Sequence, residues 1–190
     1  MSRSVAASLA TGIAVLALAI ACAPPAVRAQ SADLVLCDRI AADPTDPDKP
    51  ADVGGVAQIA RPDIATAIKF CRTASASSRR ALYQLGRAYA ANQQIPEAMD
   101  AWRKAADRGS TSAMVELGVL LATGSGVPRD EAQSRKLFER AAKAGNARGV
   151  TNLSALSEKE GAPMDPVGAR ALLVKATETN SAEAQYRLGL

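Results

Sequence analysis

A short motif recurs four times between residues 80 and 190, and this internal repeat constrains the fold more than any other feature of the chain. A Leu, followed by Gly in most copies, stands at positions 85, 117, 153 and 188, at intervals of 32, 36 and 35 residues. A small residue stands four positions before each Leu, so that both lie on the same face of a helix. Repeats of this length predict stacked pairs of helices. The copies are Ala81 with Leu85 and Gly86, Ala113 with Leu117 and Gly118, Gly149 with Leu153 and Ser154, and Ala184 with Leu188 and Gly189.

A second half-motif follows each of the first three copies and predicts a partner helix. It contains a large apolar residue, two further residues and a pair of small residues. A Gly or Asn then closes it, because these residues tolerate the left-handed conformation that ends a helix. Its copies begin at Trp102, Phe138 and Leu173 and close at Gly109, Gly145 and Asn180. The predicted helices are Ser78–Ala91, Glu97–Arg108, Ser112–Ala122, Asp130–Ala144, Ala147–Lys159 and Pro166–Thr179.

The loop between the two helices of a unit has its own pattern. It reads Gly124-Ser-Gly-Val-Pro-Arg-Asp130 in the second unit and Gly161-Ala-Pro-Met-Asp165 in the third. Gly permits a tight turn, Pro stops the preceding helix, and Asp suits the positive N-terminus of the next helix. Together with the two half-motifs, this loop resembles the Sel1-like repeat family, which is related to the tetratricopeptide repeat. The resemblance covers about residues 80–190, and the second unit matches the family pattern nearly throughout.

The first 29 residues have the pattern of a cleaved secretory signal peptide. Arg3 precedes an uncharged stretch whose continuous apolar part, residues 12–23, has 12 residues. Roughly 20 apolar residues are needed to cross a bilayer. Two Pro residues follow, and small residues precede Gln30, as signal peptidase requires. We therefore expect a periplasmic or secreted mature chain without membrane insertion. Two alternatives stay open: an uncleaved anchor, and a lipoprotein signal ending at Cys22, for which Leu18 lies one position too far away.

Two cysteines, Cys37 and Cys71, remain after signal removal. An even number of cysteines in an exported chain is typical of a structural disulfide. The two lie in helical-looking stretches, Asp33–Ala42 and Pro62–Ala74, joined by a loop rich in Pro and Asp that offers little core of its own. A bridge between them is expected to hold this hairpin together. The alternative, two free buried thiols, suits an oxidising compartment poorly.

The expected architecture is therefore all-α: an α/α solenoid of Sel1-like helical hairpins with an atypical, disulfide-stapled N-terminal cap. The expected division is a signal peptide at residues 1–29, the cap at 30–78 and the repeats at 79–190. The repeat units span about 79–110, 111–146 and 147–180, with a partial unit at 181–190. The first unit lacks the glycine loop and looks more like a tetratricopeptide repeat. The third has Ser154 in place of Gly and Ser157 where Tyr is usual.

The charges are unevenly distributed along the chain. The formal net charge is +4, and it falls to +2 without the two Arg residues of the signal, so the basic balance does not indicate nucleic-acid binding. Residues 30–63 carry seven acidic and three basic side chains, whereas residues 64–190 carry twelve and eighteen. A mildly basic body favours acidic partners. Ordinary solvated helix faces are the alternative explanation.

The sequence offers little that indicates catalysis. It contains no His, which removes the usual general base, the commonest zinc ligand and the standard triads. It also lacks phosphate-binding and dinucleotide-binding fingerprints. The acidic stretch Asp43–Asp52 lacks the Gly and the terminal Glu of a calcium loop. We therefore expect no catalytic residues, no metal site and no cofactor.

The resemblance implies a protein that binds another protein. Its first helices are expected to line a concave surface, where positions outside the apolar repeat would contact the partner. An alternative is the regulatory repeat arm of a longer enzyme that continues past residue 190, and a third hypothesis is a carboxylate-based hydrolase of cell-wall polymers. The predicted partner-binding residues are Gln84, Arg87, Glu116, Asn152 and Arg187.

Overall fold

The chain consists of helical hairpins in the residues that the structure describes. A computed structural model describes residues 31–159, 161, 163–178, 185–186 and 188–189. Within these residues there are eight α-helices and no strand. A short 3-10 helix, Arg61–Asp63, precedes α2. The α-helices are α1 (Ala32–Ala41), α2 (Ile64–Ala74), α3 (Arg79–Ala91), α4 (Ile95–Asp107), α5 (Thr111–Thr123), α6 (Glu131–Lys143), α7 (Ala147–Lys159) and α8 (Pro166–Glu178).

The helices pack in chain order and form two layers. Each odd-numbered helix pairs with the helix that follows it, and the neighbouring hairpins contact one another through α2 and α3, α4 and α5, and α6 and α7. Helix α1 also contacts α3, and α5 contacts α7, so the odd-numbered helices form a layer of their own. We call this layer, α1, α3, α5 and α7, the inner layer. The predicted all-α solenoid of hairpins is confirmed.

The Leu-Gly motif meets the aromatic motif inside the first two repeat units. A Cβ added to Gly86 would lie well under 3.0 Å from the ring of Trp102, and a Cβ added to Gly118 would lie equally close to the ring of Phe138. The indole nitrogen of Trp102 donates a hydrogen bond to the carbonyl of Tyr83, at 3.1 Å. Glycine is therefore required in the first helix because an aromatic ring of the second helix occupies the space of its side chain.

The third unit differs at both of these positions. It has Ser154 where the other units have Gly and Leu173 where they have an aromatic ring. Its close approach to the preceding unit is made instead by Gly149, whose added Cβ would lie 2.8 Å from the Cβ of Ala141 in α6. Leu153 is buried as its counterparts Leu85 and Leu117 are. The repeat thus keeps its Leu core while changing both members of the glycine–aromatic pair.

The predicted caps are confirmed where the structure describes them. Gly109 and Gly145 have φ of 88° and 85°, the left-handed conformation expected after α4 and α6. In the first unit, which lacks the glycine loop, Gln93 takes a positive φ of 61°. Helix α4 begins at Ile95, two residues before the predicted start, because Pro96 fits the first turn of a helix. Asn180 lies outside the described residues.

The N-terminal cap is a hairpin of α1 and α2 joined by the predicted disulfide. The Cα atoms of Cys37 and Cys71 lie 4.8 Å apart, and both residues are fully buried in an apolar cluster with Ala41, Ala81 and Leu85. The cap therefore packs directly on α3. The predicted signal peptide, residues 1–29, lies outside the described residues. Among the described helices, none combines the length and hydropathy needed to span a bilayer.

Replacing Gly118 by Ala is expected to lower the free energy of unfolding by about 1 to 3 kcal/mol, because the added methyl group must displace the Phe138 ring. Combining this change with Phe138→Leu should cost less than the sum of the two single changes. Urea unfolding measures both effects. Gly168→Ala in α8 is the control, because its added Cβ would make only an ordinary contact at 3.5 Å. Equal effects of Gly118→Ala and Gly168→Ala would contradict this account.

Candidate protein-binding surface

The Pro- and Asp-rich loop of the cap lies against the inner layer. We call residues 42–57, which connect α1 to the short 3-10 helix, the Asp loop. The backbone nitrogen of Val56 donates a hydrogen bond to the carbonyl of Ala42 at 2.8 Å and closes the loop at its base. Gly55 packs so tightly on Pro44 that an added Cβ would lie well under 3.0 Å from it. The Asp loop is therefore a compact unit.

Three aspartates attach the Asp loop to the first helices of two repeat units. Asp43 accepts a hydrogen bond of 2.5 Å from the hydroxyl of Tyr83 in α3. The guanidinium of Arg79 donates two hydrogen bonds, of 2.8 and 2.6 Å, to Asp48. Asp46 accepts a hydrogen bond of 2.9 Å from the hydroxyl of Ser112 in α5. The loop thus crosses from the first unit to the second along the inner layer.

Three side chains at equivalent positions of the three repeat units form a row on the inner layer and contact aspartates of residues 38–48. The row stands five residues before each repeat Leu and consists of Arg80, Ser112 and Arg148. Arg80 binds both carboxylate oxygens of Asp38 in α1, at 2.9 and 2.8 Å, and donates to the carbonyl of Asp48 at 3.2 Å. Arg148 reaches Asp43 at 3.6 Å. Each unit therefore contributes one donor at the same position to an aspartate of residues 38–48.

Two of the predicted partner-binding residues contact the cap. Gln84 is fully buried, and its amide donates a hydrogen bond of 2.8 Å to Asp38. Arg87 donates to the carbonyls of Ala41, Val56 and Ala57 at 2.7 to 2.9 Å, so it holds both ends of the Asp loop. Both side chains are used inside this chain. The prediction that they contact a partner stays a prediction.

The other predicted residues are placed differently. Glu116 accepts a hydrogen bond of 2.7 Å from Arg148 and remains partly exposed. The amide of Asn152 donates to the carbonyl of Arg148, one turn earlier in α7, at 2.8 Å. Arg187 lies outside the described residues. Sequence reasoning missed Arg148, although its place five residues before Leu153 made it the counterpart of Arg80 and Ser112.

A cavity of about 640 Å³ opens beside the Asp loop. The loop side is formed by residues 43–45 and 57 of the Asp loop and by Gln58, Ile59 and Arg61, which follow the loop toward α2. The inner layer supplies charged side chains from three helices and an apolar patch at the end of α3. The polar and apolar residues that line it include Gln58, Ile59, Arg61, Arg87, Glu116 and Arg148.

The buried charges at this surface are tuned by their partners. Burial raises the pKa of Asp43, but hydrogen bonds from Tyr83 and Thr45 and the charge of Arg87 outweigh it, so the pKa is lowered overall. Burial also works against the charge of Arg148, yet the ion pair with Glu116 raises its pKa well above the ordinary value. Both side chains therefore stay charged at neutral pH.

Asp46 is the exception among these acids. It is only 4% exposed, and its Oδ2 atom has no hydrogen-bond partner in the described residues. Burial raises its pKa to about 6, with further increases from the neighbouring charges of Asp48 and Asp43, against the hydrogen bond from Ser112. At neutral pH Asp46 is charged, and burying this charge when the Asp loop docks therefore costs free energy.

The chemistry of the surface is that of polar recognition. In the part of the chain that the structure describes, no group of three or more acidic or cysteine side chains could hold a metal ion. The carboxylates of Asp43 and Asp48 accept hydrogen bonds from protein donors. The arrangement provides a row of donors with an apolar patch beside it, which suits the binding of a peptide segment.

This chain is similar to a known repeat family and to solved structures of repeat proteins. The Sel1 repeat model matches residues 111–146 and 182–190. A Sel1 repeat protein from Oxalobacter formigenes is similar over 67% of this chain and 54% of that chain, with 27% identity and a TM-score of 0.53. The protective antigen of uropathogenic Escherichia coli with an SLR fold is similar over 64% of this chain and 27% of that chain, with 26% identity and a TM-score of 0.48.

The chain thus spans about half the length of the first of these proteins and about a quarter of the second. No curated protein matches its sequence. The family match over one complete repeat unit and the likeness to the Oxalobacter formigenes protein support a Sel1-like repeat fold for this chain. Sel1 repeats generally mediate interactions between proteins and are typically non-catalytic.

The raised pKa of Asp46 predicts that acidification stabilises the fold. The folded state, with a pKa of about 6 against 3.8 for an unperturbed Asp, binds more protons than the unfolded state between these values. The free energy of unfolding should therefore rise by about 1 kcal/mol from pH 7 to pH 5. The pKa of Asp43 is lowered, so protonation of this residue lowers the free energy of unfolding, but only as the pH falls below about 3.8.

Urea unfolding at pH 5, 6 and 7 measures this effect. Asp46→Asn should be more stable than the wild type at pH 7 and should lose the rise, because the amide is neutral throughout. Asp52→Asn, a change at an exposed position in the same loop, is the control and should keep the rise. A rise of the same size in wild type and Asp46→Asn would show that Asp46 is not its source.

Proposed function

We propose that this Sel1-like repeat protein is a non-catalytic scaffold or regulator, exported to the periplasm or secreted, that binds a partner protein in the cavity beside the Asp loop. The single observation that carries the proposal is the cavity itself. It lies on the inner layer and combines an apolar patch around Ile59 and Ile64 with the charged groups of Arg61, Arg87 and Glu116. Its volume of about 640 Å³ lies in the range of binding pockets.

The character of the lining favours binding over catalysis. The sequence contains no His. The pKa of Asp43 in the cavity wall is lowered, the reverse of what a general acid needs in a carboxylate-based hydrolase. Arg148 and Glu116 neutralise each other across neighbouring units. These groups are suited to orient a bound segment rather than to transfer a proton.

Export is supported by two features of the sequence and the fold. Residues 1–29 have the charge, apolar length and small residues of a cleaved signal. The buried disulfide between Cys37 and Cys71 belongs to chains that fold in an oxidising compartment. The partner is therefore expected outside the cytoplasm, either in the periplasm or beyond the cell.

Site-specific photo-crosslinking tests the proposal. The full chain, including residues 1–29, is expressed with a photoreactive amino acid in place of Gln58, which is exposed in the cavity wall. Illumination of intact cells should give a crosslinked species that is released with the periplasmic fraction and contains the chain from residue 30 onward. The same substitution at Lys136, exposed on α6 in the other layer, is the matched control and should give none. No crosslink at Gln58, or equal crosslinking at both positions, would contradict the proposal.

A further inference from the structure

We infer that the inner layer binds an extended, aspartate-bearing segment of the partner protein, and that the Asp loop occupies this surface until the partner segment displaces it. The inference rests on the proposed function and names the chemistry of the partner. It follows from three features: the hydrogen-bond donors of the inner layer, the contacts that hold the Asp loop on them, and the independent attachment of helix α1.

The donors of the inner layer select carboxylates. Arg79, Arg80, Tyr83 and Ser112 donate hydrogen bonds to aspartates of residues 38–48, and Arg148 forms an ion pair with Asp43. An apolar helix placed over this surface would leave these donors without partners, which is costly once water is excluded. When the loop leaves, Arg79 and Tyr83 of α3 and Ser112 of α5 lose their carboxylate partners, and an extended acidic segment that runs from α3 to α5 would satisfy them.

The Asp loop is held on the inner layer by hydrogen bonds and ion pairs, including those that Arg87 donates near both ends of the loop. No residue between 43 and 58 belongs to the apolar clusters of the described chain. The bidentate ion pair of Arg79 with Asp48 is half exposed on the arginine side, so solvent and salt screen it. Asp46 is buried with one oxygen unpaired, which opposes docking. Another segment with better-paired carboxylates can therefore replace the loop.

Displacement of the Asp loop leaves the cap intact. Helix α1 is fixed independently by the disulfide of Cys37 with Cys71 and by the burial of Ala41 in the apolar cluster with α2 and α3. The loop begins directly after this helix. It can therefore move away as a tethered segment while the hairpin of α1 and α2 stays on α3.

The tether also determines how strongly the Asp loop competes. A segment held at both ends has an effective concentration in the millimolar range at its own site. A free acidic peptide must overcome this concentration, so its affinity for the intact protein is reduced. Removing the docking carboxylates from the loop should expose the surface and restore the affinity.

Peptide binding to an opened variant tests this inference. The variant carries Asp43→Ala, Asp46→Ala and Asp48→Ala, and a second variant replaces residues 44–55 with a Gly-Ser linker of equal length. The probe is a fluorescent synthetic peptide with the sequence of residues 42–53, measured by anisotropy at low salt. Circular dichroism and mass spectrometry establish that each variant is helical and disulfide-bonded.

The probe should bind at least one folded opened variant at least tenfold more tightly than it binds the wild type. A probe with Asn at the positions of Asp43 and Asp48 should bind at least tenfold more weakly, and added salt should weaken the binding. Equal binding to wild type and variants, or no binding to either folded variant, overturns the inference. If the peptide test fails but a crosslink forms at Gln58, the displacement of the Asp loop by a partner segment is rejected and the proposed function is retained.

Discussion

The close contact between a glycine of one helix and an aromatic ring of the next is the constraint on which this structure depends. Gly86 with Trp102 and Gly118 with Phe138 bring the two helices of a unit so near that no Cβ fits between them. The chain has few aromatic side chains, and these two are almost completely buried. The rest of the core is assembled largely from Ala, Leu and Val. With such small side chains, close packing is the principal source of contact area.

The regular close packing of the helices also determines how polar side chains are arranged on the inner layer. Because each hairpin repeats the last, residues at equivalent positions of α3, α5 and α7 lie in rows along the inner layer. One row, Arg80, Ser112 and Arg148, receives aspartates from the N-terminal segment, and the acidic and basic parts of the chain meet there. The apolar faces of the helices build the stack, while the polar faces of the first helices contact the acidic residues 38–48 of the same chain.

Much of the fold could be predicted from the sequence, because helical periodicity and caps act locally. The small residues before Leu85, Leu117 and Leu153, the closing glycines and the disulfide all lie where the sequence predicts them. The site could be predicted only in part. Gln84 has the pattern of an exposed helix position, and only the tertiary placement of α1 buries it. The uneven charge along the chain is the one signal of this contact in the sequence, and it does not distinguish contact between two parts of one chain from contact with an acidic partner.

The central claim is that the Asp loop is docked on the inner layer in the unbound protein, and amide hydrogen exchange tests it most directly. The backbone nitrogens of Thr45, Asp46, Asp48, Lys49 and Val56 all donate hydrogen bonds within the docked loop. In the native protein these amides should exchange many times more slowly than in a free peptide of the same sequence. The account further predicts that Arg79→Ala with Ser112→Ala removes this protection and leaves α3 and α5 protected. Exchange of the native loop at free-peptide rates would contradict it.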